Sequence, residues 1–381
     1  MIPLSVPNIS GDEWKYVKDC LDSGWISSAG DYVNKFEKSI SEYTGSNFTV
    51  ACINGTSGLH ISLLLAGVSK DDIVIAPNLT FVATLNAISY TGAEIILIDS
   101  YEDSWQINVD LLSDWLVKNT KTYMHDGKKI TTHIGSGKKI SAIVPVYVLG
   151  GFVDIETLLE ISLNYGIHIV EDSTEALGSF KGNKHAGTFG LSGVISFNGN
   201  KIISTGGGGM ILTDDEKIAV KAKHLTTTAK SDPVEYFHDD VGYNYRLVNI
   251  LAAIGCGQME NFEKILKRKK EIDYLYKKKL SGIGDIKFQK NDKKSNPNCW
   301  LFTFRTRKMR KLLDHLNENK IQCRPFWTPM NKLPMYKHLK FISNHDVSEK
   351  LFSECISIPS SSSLSIDDQN LVIKEIKNFY K

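Results

Sequence analysis

Apolar positions along the chain change period repeatedly. Trp14, Val17 and Leu21 recur at helical spacing, and so do Val33, Phe36 and Ile40, which predicts two amphipathic helices near the start. Compact apolar runs follow at Thr49–Ile53, Ile73–Ala76, Glu94–Ile98, Ser141–Val148, His168–Glu171, Val194–Phe197 and Met210–Leu212. Helical patterns such as Leu59–Leu65 and Phe81–Tyr90 lie between them. Strands alternating with helices predict an α/β fold: a mainly parallel central sheet with helices on both faces.

Two stretches break the rhythm. Residues Lys118–Lys139 hold Lys, Thr and Gly with little apolar periodicity and read as an inserted β-hairpin or long surface loop. From Leu247 to Leu280 the pattern is one long helix with a charged second half. It leads into a strand at Trp300–Phe304, a helix at Met309–Asn319, and a closing strand and helix at Cys355–Ile358 and Asp367–Tyr380. The expected division is a large α/β domain over residues 1–255 and a smaller α+β domain over residues 256–381.

Composition narrows the class of protein. At 381 residues with 42% hydrophobic and 23% charged side chains, the chain can bury a large core and is not expected to be disordered. A net charge of +2 gives no sign of a nucleic-acid or membrane-surface partner. No apolar run reaches the roughly 18 residues that span a bilayer, and the opening MIPLSVPNISGDEWK has no secretory signal. Cys20, Cys52, Cys256, Cys299, Cys323 and Cys355 form no C-x-x-C pair, so reduced thiols, no metal site and a cytoplasmic location are expected.

In an open α/β sheet, ligands sit at the carboxyl ends of the strands. Three such ends carry chemistry. Asn54-Gly55-Thr56-Ser57-Gly58 joins a strand to a helix start. N-terminal N–H groups and two hydroxyls there suit an anion, and a plain N-cap by Thr56 or Ser57 fits equally well. Glu171-Asp172-Ser173-Thr174-Glu175 follows another strand; a buried carboxylate there needs a cationic partner or a metal. Ser196-Phe197-Asn198-Gly199-Asn200-Lys201 precedes four glycines, Gly206–Gly209, and lacks the spacing of a P-loop or of a dinucleotide-binding turn. A desolvated lysine can form a Schiff base. Anion cradle, acid after a strand, and Ser-x-x-x-x-Lys before glycines is the order expected of a pyridoxal phosphate site.

With these segments in view, the chain resembles the DegT/DnrJ family of sugar aminotransferases, which have the fold-type I, aspartate-aminotransferase-like architecture. The likeness takes in Gly24–Gly30 with Phe36-Glu37, Asn54–His60, Thr80–Thr84 with Gly92-Ala93, Glu171–Gly178, Ser196–Met210 and Gly242–Leu247. It implies that pyridoxal 5′-phosphate is linked to Lys201, which also moves protons during the reaction. Asp172 would pair with the pyridine nitrogen, Phe81 would stack on the ring, and Thr56, Ser57 and Ser196 would hold the phosphate. Asn244 would reach that phosphate from a neighbouring subunit, which implies a homodimer with shared active sites. Glu175 stands where many relatives have Gln, near the ring's 3-oxygen, and Gly207 replaces a Glu.

The reaction so implied moves an amino group from L-glutamate to the C4 ketone of a nucleotide-linked 4-keto-6-deoxyhexose, for bacterial glycan or surface-polysaccharide (lipopolysaccharide or O-antigen) synthesis. Asn-Gly-Asn-Lys with four glycines, and the insertion, resemble the legionaminic acid and bacillosamine subgroup, whose substrate is a UDP-2-acetamido-4-keto-2,6-dideoxyhexose. GDP-4-keto-6-deoxymannose, in perosamine-type enzymes, and dTDP-4-keto-6-deoxyglucose are the alternatives. Trp25, Ser27, His185, Arg246, Arg324 and Trp327 are the candidate substrate contacts, an Arg being suited to the diphosphate. A related dehydratase would carry His in place of Lys201. A catalytically silent PLP-fold regulatory or binding protein is a further alternative.

Overall fold

The computed structural model describes residues 1–232 and 234–381. Its centre is an eight-stranded sheet, and the runs that build it are mostly apolar because helices cover both faces. In chain order these strands are β1 (Phe48–Cys52), β2 (Ile73–Pro77) and β3 (Glu94–Ile98). The hairpin strands β4 (Thr120–His125) and β5 (Lys128–His133) stand apart from the sheet. Then come β6 (Ile140–Ile143), β7 (His168–Asp172), β8 (Ser192–Ser196) and β9 (Gly209–Thr213). Two strands of a smaller sheet, β10 (Phe302–Arg305) and β12 (Cys355–Ile358), flank β11 (Lys340–Ile342). The large sheet has the order β1-β9-β8-β7-β6-β2-β3-β11, and only β9 runs against the rest.

Helices α1 (Glu13–Ser23) and α2 (Asp31–Thr44) precede the sheet. The crossovers are α3 (Gly55–Leu65), α4 (Ala83–Tyr90), α5 (Val109–Asn119), α6 (Ile155–Tyr165) and α7 (Glu216–Thr226). One face of the sheet packs Val74, Ala76, Leu97, Val170 and Val194 under α3, α4 and α7. The other packs Ile73, Ile75, Ile96, Ile98 and Ile169 under α5 and α6. Alternate residues of the same strands therefore feed two cores. The small sheet is closed by α9 (Phe262–Leu280), α10 (Met309–Glu318) and α12 (Ile366–Tyr380), with Tyr276, Phe304, Leu312 and Ile376 fully buried. Between them in sequence lies α11 (Val347–Glu354).

Several boundaries differ from the sequence expectation. The helix expected over 247–280 is two helices, α8 (Asn249–Glu260) and α9, parted at Asn261 with φ −103° and ψ 4°. Asn competes for backbone hydrogen bonds and breaks the helical path. The strand expected over Ser141–Val148 stops at Ile143. Pro145 has no N–H for a ladder, and the chain bends through Leu149 at φ 58°. The strand β10 starts at Phe302, not Trp300, so Trp300 is free to point elsewhere. The segment 118–139 holds the β4–β5 hairpin, whose turn residues Asp126 and Gly127 both have positive φ, as a two-residue hairpin turn requires. Strand β11 lies in the stretch that the sequence assigns to the second domain, yet it pairs with β3 in the central sheet.

Candidate active site

The carboxyl ends of β1, β7 and β8 converge on a cavity of about 490 Å³. At the end of β7, Asp172 is buried. Its backbone continues the sheet, its N–H donating to Pro145 O (2.9 Å) and its carbonyl accepting from Tyr147 N (3.1 Å). Its carboxylate accepts the Thr84 hydroxyl at 2.7 Å and the Thr174 N–H at 3.2 Å. Among the described residues no Lys, Arg or His makes an ion pair with it, the lysine nearby being paired with Glu175. The neighbour in sequence, Glu171, points the other way. It accepts from Tyr147 Oη and from the N–H groups of Gly187, Phe189 and Gly190, a closed structural nest that keeps β7 in place.

Lys201 follows β8 on a turn closed by its own N–H to Asn198 O at 2.9 Å. Its Nζ lies 4.0 Å from Glu175 Oε1 and 4.3 Å from the centre of the Trp300 ring. Burial pushes the Lys201 ammonium down from its ordinary value, while Glu175 and Asp172 oppose that shift. Burial pushes Glu175 up to about 7, against the pull of Lys201 and of the Leu149 N–H, which donates to Glu175 Oε2 at 2.8 Å. A desolvated amine beside an acid whose pKa burial raises is what proton transfer near neutral pH needs.

The anion cradle forms where β1 turns into α3. Asn54 is the N-cap, its Oδ1 accepting the Ser57 N–H at 2.8 Å. Gly55 has no room for a side chain: a Cβ there would meet Thr174 Cγ2 at 2.9 Å and Ser196 Cβ at 3.1 Å. From the far side, Gly209 presses its backbone onto Asn54, where a Cβ would come within 2.6 Å of the carbonyl carbon. The helix start, Thr56 and Ser196 therefore face one small space, which suits a phosphate.

The cavity gathers Thr56, Phe81, Asp172, Glu175, Ser196, Lys201, Arg324 and Trp327 of the residues that the sequence nominates. Trp327 stacks on Phe326 at 4.6 Å, and Phe326 is the buried member of the pair. Six nominated residues are not in its lining. Ser57 contributes its N–H to the Asn54 cap. Trp25 and Ser27 are exposed and tie α8 to the chain through their carbonyls, which accept from Asn249. Asn244 is exposed, and Arg246 is half-buried beside Cys52. His185 is fully buried, ringed edge-on by Tyr43 and Phe180, with Nε2 accepting the Gly178 N–H at 2.9 Å. Burial pushes its pKa down to about 4, so it is a neutral core acceptor. The expectation that it reaches a sugar is corrected on that ground.

Asn54, Thr84 and Trp300 are the residues that the sequence reading did not single out for roles here. Thr84 carries a readable signal: it lies in the first turn of α4, four residues after Thr80, and their hydroxyls are 2.8 Å apart. Trp300 carries none, because only the fold brings it to Lys201. Among the described residues no group of His, Cys, Asp and Glu could hold a metal ion, and no helix is long and apolar enough to cross a membrane.

Comparison with known proteins bears on this geometry. A family model, that of the DegT/DnrJ/EryC1/StrS aminotransferase family, matches residues 7–377. The GDP-perosamine synthase of Escherichia coli O157:H7 is 35% identical over 382 residues, covering 100% of this chain and 98% of that protein. The GDP-perosamine synthase of Vibrio cholerae is 32% identical over 385 residues, covering 100% and 99%. A crystal structure of a DegT DnrJ EryC1 StrS aminotransferase from Brucella abortus superposes with a TM-score of 0.88 at 25% identity, covering 97% of this chain and 95% of that one.

Proposed function

The chain belongs to the DegT/DnrJ/EryC1/StrS aminotransferase family, and from that premise we propose that it aminates C4 of GDP-4-keto-6-deoxymannose with L-glutamate as donor. It is a nucleotide-sugar aminotransferase of fold type I, and its cofactor is pyridoxal 5′-phosphate. The GDP-linked substrate is supported by the likeness to two GDP-perosamine synthases along the whole chain. The UDP-2-acetamido sugar of the sequence reading has no such support from them.

The observation that carries the reading is one cavity in which a largely buried lysine, a buried carboxylate with no ion-pair partner among the described residues, and a helix start meet. These residues fit the cofactor. Thr56, Ser196 and the N–H groups of α3 would hold its phosphate. Asp172, oriented by Thr84, would face its ring nitrogen and keep that nitrogen protonated. When bound, the cofactor supplies an electron sink for the carbon that loses or gains a proton. Lys201 Nζ would hold the cofactor and, freed from it, would take the proton from the donor carbon and deliver one to sugar C4. Glu175, 4.0 Å away, sets the charge around that amine. Phe81 would cover one face of the ring, and Arg324 and Trp327 would meet the nucleotide at the open side.

A second copy of the chain is the proposed source of Asn244, Trp25 and Ser27 at the site. All three are exposed, as are the large apolar side chains Val234, Tyr236, Phe237 and Val241, which an interface would cover.

The test is spectroscopic. Glutamate should bleach the absorbance of the bound cofactor, and GDP-4-keto-6-deoxymannose should restore it faster than the UDP- or dTDP-linked 4-keto sugars. Restoration by the UDP-2-acetamido sugar alone would replace the proposed substrate. No bleaching by glutamate would remove the donor.

A further inference from the structure

We propose that Asn298 and Trp300, from the C-terminal third of the chain, form a positioning clamp that holds Glu175 and Lys201 against each other. The proposal rests on the reading of Lys201 as the residue that carries the cofactor.

Trp300 touches the lysine segment twice. Its indole Nε1–H donates to Asn200 O at 2.7 Å, across 100 residues of sequence, and so pins the carbonyl immediately before Lys201. Its ring face lies 4.3 Å from Lys201 Nζ, where an aromatic quadrupole favours a cation. Trp300 is itself buried. Asn298, two residues earlier, is completely buried and grips the acid. Its Nδ2 donates to Glu175 O at 2.8 Å and to Leu177 O at 2.9 Å, and its backbone N–H donates to Ser179 Oγ at 3.0 Å. Its Oδ1 accepts the Trp300 N–H at 3.0 Å and so locks the two arms together.

The backbone around the clamp is shaped for it. Cys299, between the two arms, has φ 56°, a left-handed conformation that a non-glycine residue holds only when its surroundings over-determine it. Gly150, at φ +79°, leaves the space that Asn298 fills, for a Cβ there would lie 2.0 Å from Asn298 Oδ1. The same bend gives Leu149 the orientation in which its N–H meets Glu175 Oε2. Three segments remote in sequence, 149–150, 175–179 and 198–201, are thus fastened to one buried Asn-x-Trp. The charged side chains facing Lys201 in this space are Glu175 and Asp172, with Arg324 on the same cavity wall. None of the contacts made by Asn298 and Trp300 requires a substrate, so they are positioning residues.

The experiment compares holoenzymes: wild type, Trp300→Phe, Trp300→Leu and, as a core control on the neighbouring strand, Phe302→Leu. The readouts are the pH midpoint of the absorbance of Lys201-linked cofactor, and the single-turnover rate and KM with glutamate. Trp300→Leu is expected to lower the midpoint by about half a pH unit, by removing the aromatic face from the cation. It should slow the single turnover roughly tenfold, with KM within about twofold, because the base is misplaced and the donor site is kept. Trp300→Phe keeps the face and loses the N–H, so it should keep most of the midpoint and lose rate. Phe302→Leu should melt earlier and retain the wild-type midpoint. A wild-type midpoint and rate in both Trp300 variants would overturn the clamp, as would the same shift in Phe302→Leu. If Trp300→Leu does not fold, an unchanged rate in Trp300→Phe overturns it by itself. A wild type that binds cofactor without bleaching by glutamate counts against the donor, and the midpoints still decide the clamp.

Discussion

The floor of the cavity and its open side are built by different means. On the floor, Asp172, Glu175 and Lys201 sit at strand ends, are largely buried, and have hydrogen-bonding or charged neighbours within the chain. On the open side Phe81 is 52% exposed, and away from the cavity lining Trp25 is 58% and Tyr236 91% exposed. The floor obeys the rule that buried polar groups are satisfied, with one exception: among the described residues no cation makes an ion pair with the Asp172 carboxylate, which accepts a hydroxyl and an N–H. The open side breaks the rule that large apolar side chains are covered. On the proposed reading each exception marks what is to be added, a cationic ring nitrogen below and a second subunit beside.

The largest effect expected from breaking the floor is Lys201→Ala. On the proposed reading it removes the amine that carries the cofactor and moves the proton, and should cost roughly 10⁴-fold or more in turnover. Loss of glutamate-driven bleaching measures it. Asp172→Asn is next. It keeps the shape and removes the charge, and should lower kcat roughly 10²- to 10³-fold with the cofactor still bound; stopped-flow bleaching rates check this.

Breaking the proposed interface is a different experiment. Phe237→Glu places a charge beside the exposed apolar side chains of residues 234–241. It should weaken self-association roughly 10²-fold, since an unpaired buried charge costs several kcal/mol, and leave the melting of the separate chain nearly unchanged. Sedimentation against concentration would show it. A chain that is monomeric and fully active before the substitution would sink the shared-site reading.

Glu175→Gln is the smallest and sharpens the floor. Burial raises the Glu175 pKa to about 7. The folded chain then holds a proton that the unfolded chain releases, so this contribution to stability is complete at low pH and is lost as pH rises through about 7. In cofactor-free protein, Glu175→Gln should flatten the loss of stability between about pH 5 and 7, by roughly 2 kcal/mol across the window, read as a smaller drop in melting temperature. An unchanged slope would assign the titration to another group.

Much of this was legible in the residues. Apolar runs alternating with helical periods predicted the parallel sheet, because strands buried on both faces must be apolar throughout. Thr56, Asp172 and Lys201 were legible because each lies just after a strand run, and strand ends of a parallel sheet share one edge. The tertiary structure decided the rest. His185 follows a Lys and precedes a glycine turn, a polar local context, yet packing buries it as a neutral acceptor. The break at Asn261 divides a continuous helical pattern, and Lys340–Ile342 crosses back to the central sheet. Trp300 meets Lys201 although 99 positions separate them. Periodicity and composition report the neighbourhood of a residue along the chain. Which distant segment supplies its hydrogen bonds and covers its charge depends on how the elements pack, and that is where the basicity of Lys201 is set.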